Sequence, residues 1–366
     1  MTKLLFLATE DWFMRSHFLP LLRRARAEGY EVVVAARASG ALADADVRVV
    51  DMPFARGAYN PFGLAREAFA LRNLLRAERP DIVHAIALKS IVLALAAGAH
   101  GAARVFALTG RGYMAASQSN LLARLIAPRL RRALDEERSA LLVENTADRA
   151  WAEMGRALPD ARVALMPGAG VDPEHFTPAP EPPSPPIVVG LAARLVQSKG
   201  VDVAVEAVRR LNAEGLDVRL RIAGEADGDN PRSVSAATLV QWRARRELSL
   251  LGRVLDIPAF WADAHIACLP SRGGEGLPRS LLEAAACGRA IVTTSTPGCA
   301  DFVRHEHDGL IVRPDDPAAL AAALRTLAKD EVKRAAFGAS ARARVLAGYT
   351  ENHAAGVAAA LWARLR

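Results

Sequence analysis

The chain is short of several things, and each shortage excludes something. It has three cysteines in 366 residues, Cys268, Cys287 and Cys299. They fall on a strand-like, a helical and a loop segment without metal-ligand spacing. That excludes a disulfide framework and predicts reduced, mostly buried thiols of a cytoplasmic protein. Aromatic residues make up 5% and do not interleave with basic ones, so the stacking platform of a nucleic-acid binder is missing. No apolar run approaches a bilayer span; the richest, Ile91 to Ala97, is short and alanine-rich. The start, Met1 to Leu7, holds one lysine and reaches Glu10-Asp11 at once, as a strand does and a secretory signal does not. There is no G-x-G-x-x-G after the first strand, no Walker loop, no internal repeat and no low-complexity tail.

What is present is a large apolar complement, 51% of residues, enough for two cores at this length. The net charge is +7. Such a balance fits an anionic partner, or equally an arginine-rich composition with no such role. Short apolar runs alternate with longer amphipathic segments, which argues for parallel α/β architecture. Strands are expected at Lys3–Ala8, Glu31–Ala36, Val47–Met52, Ile82–Ala85, Val105–Leu108, Leu141–Val143 and Val163–Met166. A second set is expected at Ile187–Ala192, Val218–Ala223, His265–Leu269, Ala290–Thr293 and Leu310–Val312. Between the sets Pro173, Pro178, Pro180, Pro182, Pro183, Pro185 and Pro186 rule out a helix or a central strand. The expected organisation is a first domain over residues 1–172, a linker over 173–186, a second domain over 187–350 and a terminal helix over 351–366.

Two segments carry chemistry. In the first, Pro270-Ser271 is followed by Gly273-Gly274-Glu275-Gly276-Leu277-Pro278 and a helix bearing Glu283. Strand, glycine loop and helix build a site at the carboxyl end of a strand. The helix start offers free N–H groups to an anion, while a carboxylate one turn inside suits a ribose hydroxyl better than a phosphate. In the second, the strand Ile187–Ala192 runs into a loop with Arg194 and Lys199, and a helix begins near Gly200. Two cations beside a helix start suit a diphosphate. Taken singly, the first reads as a capped surface helix with solvated glutamates and the second as a solvated basic loop; together they provide cations for a diphosphate and carboxylates for a ribose and a sugar.

These segments, with Gly168-Ala169-Gly170-Val171-Asp172 and Asp308-Gly309-Leu310-Ile311-Val312, resemble the family 4 retaining glycosyltransferases. The resemblance covers nearly the whole chain. It sharpens toward the subgroup that adds hexoses or N-acetylhexosamines to polyprenyl-diphosphate-linked glycans. The subgroup features are Asp11-Trp12-Phe13, Ser16-His17, His84 with Lys89, Thr109-Gly110-Arg111-Gly112-Tyr113, and Gly224 followed by Asn230-Pro231. The resemblance implies an α/β protein of the GT-B class, two doubly wound Rossmann-like domains with an interdomain cleft. The terminal helix is expected to return to the first domain.

The resemblance also implies roles. The donor, a UDP-sugar, is expected at Gly170, Arg194, Lys199, Glu275, Gly276, Leu277, Pro278 and Glu283. Glu275 contacts sugar hydroxyls near the reacting centre, Glu283 the ribose, and His17 stands near the donor phosphates or the reacting centre, a capping or interdomain histidine being the equal alternative. His84, Lys89, Gly110 and Tyr113 are expected on the acceptor side, although a buried histidine and a solvated lysine are the plainer readings of His84 and Lys89. No cofactor or metal is expected, because Arg194 and Lys199 take the metal's task. The D-x-D pairs Asp44/Asp46 and Asp227/Asp229 read as solvated loops. The loop after the fifth strand lacks a histidine that many members carry. Residues Ser119 to Leu134 combine apolar residues with Arg124, Arg129, Arg131 and Arg132. They form either a domain helix with a solvated arginine face, its moment interrupted by Pro128, or a face toward an anionic membrane. The expected partners are a UDP-sugar and a polyprenyl-diphosphate glycan on the inner face of the cytoplasmic membrane, and no nucleic acid. A UDP-sugar 2-epimerase shares the two-domain fold and is the competing enzyme class.

Overall fold

The computed structural model describes residues 1–55, 60–98, 101–111, 121–228 and 230–366, the side chains of 121–124 excepted. Gly112, Tyr113, Ser119, Asn120 and Asp229 therefore lie outside the described residues. The chain divides into two compact units, residues 1–169 with 351–366, and residues 170–350. The proline-rich stretch 173–186 thus belongs to the second unit and is not a separate linker. Three buried or half-buried arginines account for that. Arg289 donates to the carbonyls of Ala179 and Pro180, Arg342 to those of Pro173 and Phe176, and Arg334 grips Glu181. Prolines bring carbonyls but no N–H groups, so the carbonyls of such a segment need donors from elsewhere, and the arginines supply them.

The first unit holds a seven-stranded parallel sheet of order β3-β2-β1-β4-β5-β6-β7. Its strands are β1 (Lys3–Glu10), β2 (Glu31–Arg37), β3 (Arg48–Asp51), β4 (Ile82–Ile86), β5 (Ala103–Leu108), β6 (Ser139–Val143) and β7 (Val163–Leu165). They are valine-, leucine- and alanine-rich on both faces because helices cover both. One face packs against the helices Leu19–Ala27 and Glu351–Leu365. The other packs against Pro61–Glu78, Ala87–Ala97 and Leu121–Leu134. The terminal helix is seated by Trp362, wholly buried and edge-on to Phe6 and Tyr30. Pro128 does not end its helix, which runs through it from Leu121 to Leu134.

The second unit holds a six-stranded sheet of order β10-β9-β8-β11-β12-β13. Its strands are β8 (Ile187–Ala192), β9 (Val218–Ala223), β10 (Leu248–Gly252), β11 (Ile266–Leu269), β12 (Ala290–Thr294) and β13 (Gly309–Val312). β10 is absent from the sequence reading. It is an edge strand of five residues, half exposed, so neither a fully apolar run nor a clean turn signal marks it. In each sheet the strand order reverses once, between β1 and β4 and between β8 and β11. In doubly wound sheets the carboxyl ends of strands at such a switch point line the ligand crevice.

Candidate active site

In the second unit the loops after β8 and β11 leave the sheet at its switch point. The first forms a tight turn over Gln197–Lys199 and enters the helix Val201–Ala213 through Gly200, held at φ 65°. A side chain at Gly200 would strike the carbonyl of Pro270, which an ideal Cβ would approach to 1.9 Å. Only glycine lets the two loops touch. The second loop closes in the same way: a Cβ on Gly298 would lie 1.9 Å from the carbonyl of Gly276. Neither the helix Val201–Ala213 nor the helix Arg279–Ala286 has a side-chain cap at its start. The positive ends of two helix dipoles are thus left to whatever binds there.

The side chains these loops carry meet in ion pairs. Lys199 Nζ lies 2.7 Å from Glu275 Oε1, with both side chains about one-sixth exposed. Ser271, wholly buried, donates to Glu275 at 3.4 Å and accepts from the amide of Gly273, which shapes the glycine loop. Arg194 donates to Asp227 at 2.6 Å; the guanidinium side is 55% exposed and the carboxylate 8%. Asp227 is therefore the partner of a site cation, and its reading as a solvated loop acid is corrected. Asp44 and Asp46 pair with Arg15 and Arg26.

Glu283 accepts from Arg279 at 2.9 Å, one helical turn away. Burial pushes its carboxyl up to about 7 in spite of that arginine, which acts in the opposite direction. A carboxyl poised between its two forms at neutral pH is a feature of functional sites. Gly276, Leu277 and Pro278 form the lip of this helix, Leu277 buried in the core. Gly170 stands at the start of the unit at φ 70°, buried.

Arg272 is the residue that sequence reasoning missed. Its backbone amide donates to the carbonyl of Ser198, and its guanidinium to the carbonyl of Gln197 at 2.6 Å. The same guanidinium holds both oxygens of Asp202, at 2.8 and 2.7 Å, and reaches Asp315. One side chain thus binds the Lys199 loop, the helix behind it and the loop after β13 to the Glu275 loop. The available signal was its place directly after Pro270-Ser271, at the end of a strand.

In the first unit the expected residues separate. His17 follows β1 in a five-residue π-helical turn, Met14–Phe18; its Nδ1 lies 2.6 Å from the Ser16 hydroxyl and its ring 4.8 Å from that of Phe13. Such turns are rare and concentrate at functional sites. Gly110, at φ 99°, follows β5. β4 runs into its helix through Ala87, a non-glycine residue held at φ 67°, a strained position of the kind that clusters where function demands it. His84 and Lys89 are different. His84 is wholly buried on β4, its Nδ1 accepts from Trp362 Nε1 at 3.0 Å, and burial lowers its pKa to about 3. Lys89 is 5% exposed and pairs with the buried Glu67 at 3.0 Å. Their expected acceptor-side place is corrected: inward-facing positions of a strand and of a first helical turn fill the core. Tyr113 lies outside the described residues.

Two family models divide the chain. The model described as glycosyltransferase family 4 matches residues 14–175, and that described as glycosyl transferases group 1 matches residues 186–330. The first half of the chain thus carries a glycosyltransferase family 4 domain and the second half a glycosyl transferases group 1 domain. A putative colanic acid biosynthesis glycosyltransferase of Escherichia coli is 35% identical to it over 182 residues, 45% of this chain and 44% of the relative. The N,N'-diacetylbacillosaminyl-diphospho-undecaprenol alpha-1,3-N-acetylgalactosaminyltransferase of Campylobacter jejuni is 24% identical over 359 residues, 93% and 92% of the two chains. Across the first curated relatives, the match spans only 21% to 44% of the relative's length. Anabaena Alr3699/HepE, solved in complex with UDP and glucose, superposes on this chain with a TM-score of 0.77. That likeness covers 99% of this chain and 100% of the other at 19% identity, and it shows the GT-B fold. Among the described residues no helix is long and apolar enough to cross a membrane. All three cysteines are free and buried, with burial pushing the Cys268 thiol up to about 12.

Proposed function

We propose that this glycosyltransferase moves a hexose or N-acetylhexosamine from a UDP-sugar to a polyprenyl-diphosphate-linked glycan, with retention of anomeric configuration and without a metal. The observation that carries the reading is the set of paired charges at the β8/β11 switch point, Lys199 with Glu275 and Arg194 with Asp227, beside two uncapped helix starts. Breaking a sugar–diphosphate bond leaves negative charge on the diphosphate. Arg194, Lys199 and the start of the helix Arg279–Ala286 stabilise it from fixed positions. As the diphosphate engages Lys199, Glu275 is released to the sugar hydroxyls and acts there without becoming a covalent nucleophile. Glu283 binds the ribose hydroxyls. His17 is a further catalytic candidate. The transition state is oxocarbenium-like, so charge on the departing diphosphate is the quantity the site must stabilise.

A lipid-linked acceptor is supported by the end-to-end similarity to the Campylobacter relative, whose name carries a diphospho-undecaprenol acceptor. It calls for a peripheral place on the inner face of the cytoplasmic membrane. The test is a panel of UDP- and GDP-sugars incubated with the full chain. Slow hydrolysis of one UDP-sugar, insensitive to excess EDTA, is the expected result. An epimerised donor with no free sugar would replace this reading by a 2-epimerase. Loss of turnover in EDTA, restored by Mg²⁺ or Mn²⁺, would overturn the metal-independent step.

A further inference from the structure

The helix Pro61–Glu78 turns Ala68 and Leu71 into the core of the first unit, with Leu64, Leu74 and Leu75 packed at the margin. Its opposite face carries two phenylalanines in the open. Phe62 is 89% exposed and Phe69 is 64% exposed. Seven residues are close to two full turns, so the rings project from one side of the helix, about 10 Å apart along its axis. Arg66 lies on one flank of that line and Arg72 and Arg76 on the other, all exposed, and exposed Arg79 follows the last turn. Arg72 also donates to the carbonyl of Ala97 at 2.9 Å.

Neither acid of this helix faces out. Glu67 is buried against Lys89, and Glu78 is held by Lys3 and Arg48. The outer face therefore presents aromatic rings ringed by positive charge. Exposed apolar residues scattered singly need no explanation, but two aligned rings inside a cationic border do. The helix Leu121–Leu134 packs into the same cluster on the same side of the sheet. It adds exposed Leu125, Arg129 and Arg132. The exposed Asp135 that follows pairs with Arg131 and Arg156.

We propose that the outer face of the helix Pro61–Glu78 is the surface by which the protein docks on an anionic bilayer. Phe62 and Phe69 enter the acyl boundary, and Arg66, Arg72 and Arg76 meet lipid phosphates. Charge complementarity selects the occupant, since an all-cationic border fits an anionic sheet of phosphates. The shape agrees: rings that stand out from a convex helix penetrate a fluid medium, whereas stacked bases need a flat platform. A lipid-borne acceptor gives such a face its use. The test nevertheless separates the two ideas, because the vesicles carry neither donor nor acceptor. A chain that docks but transfers no sugar overturns only the proposed activity. One that transfers to a soluble analogue and never docks overturns only the docking.

Full-length protein is sedimented with vesicles of phosphatidylcholine alone or mixed with phosphatidylglycerol. Binding is expected on the mixture, falling with added salt, and much weaker on phosphatidylcholine. Phe62→Ser with Phe69→Ser should lower it about tenfold, and Arg66→Gln with Arg72→Gln and Arg76→Gln should remove its dependence on anionic lipid. Both variants should keep the wild-type melting temperature and donor hydrolysis. As a second readout, Phe62→Trp should show blue-shifted emission, quenched by brominated lipid, on the mixed vesicles only. Wild-type binding by both multiple variants, or an unshifted emission from the Phe62→Trp protein, would overturn the proposal. So would a face that instead holds single-stranded RNA or a second copy of the chain, lost with the same substitutions.

Discussion

The two units treat chemically able residues in opposite ways. In the second, Arg194, Lys199, Glu275 and Arg272 sit in loops past the ends of β8 and β11, paired and still partly exposed. In the first, His84 and Lys89 sit within a strand and a first helical turn, paired and buried. All are polar residues near the carboxyl end of a parallel strand, and a sequence pattern scores them alike. What separates them is two or three residues of position. A side chain past the last strand residue can turn outward, whereas one on the strand is committed to a sheet face that helices cover on both sides. A buried charge with a good partner holds its neighbours together, and a half-exposed pair can exchange its partner for a ligand.

The sharpest way to break the comparison is to remove one member of each kind of pair. Lys89→Met leaves Glu67 buried without its cation and should cost about 3–5 kcal/mol of stability, read by urea denaturation. Donor hydrolysis per folded molecule should survive. Unchanged stability would show that the pair is not the structural element its burial indicates. Arg194→Ala and Lys199→Ala should do the reverse, lowering turnover at least about 10²-fold with melting unchanged. Near-normal turnover in both would remove the diphosphate assignment.

Arg272 tests whether the second unit also depends on a purely positioning group. Arg272→Gln should weaken UDP binding about tenfold, by calorimetric titration, because it frees the two loops that bring Lys199 to Glu275. Arg272→Lys should recover only part, since a single ammonium cannot replace a fork that grips Asp202 with two donors. Equal affinities for all three forms would reduce Arg272 to a surface contact.

The two glutamates divide the site more finely. Glu275→Gln should mainly lower kcat, and Glu283→Gln mainly UDP affinity, because a ribose contact is made equally in the ground and transition states. Glu283 also carries a pH signature. Its folded pKa, about 7, lies above the ordinary value of 4.5, so the folded chain retains a proton that the unfolded chain has lost. Its contribution to stability should therefore be complete below about pH 4.5 and should disappear as pH rises through 7. The difference in melting temperature between wild type and Glu283→Gln should follow that window, and a flat difference would place the carboxyl at its ordinary pKa. His84, held neutral with a pKa near 3, gives the opposite signature in acid. Its contribution should weaken as pH falls below about 6.5, and His84→Phe should flatten that part of the acid limb of the melting curve.

Much of the molecule follows from local pattern alone. The apolar runs determined twelve of the strands to within a few residues, since a strand covered on both faces must be apolar throughout. The glycines and ionisable residues of the two loops marked the segments that meet at the switch point of the second sheet, since close backbone approach and charge are properties of residue type. Three matters waited for tertiary structure. The arginines 289, 334 and 342 bind the proline-rich stretch to the second unit from up to 169 residues away in sequence, and no local signal encodes such a partner. Arg272 joined the candidate site only when Asp202, on the helix Val201–Ala213, and Asp315, on the loop after β13, came within reach. His84 ceased to be one when Trp362, 278 residues later, covered it. Local sequence sets which backbone shape and which charge a segment has. Whether that charge meets solvent, a ligand or a buried partner is set by what the distant chain brings against it.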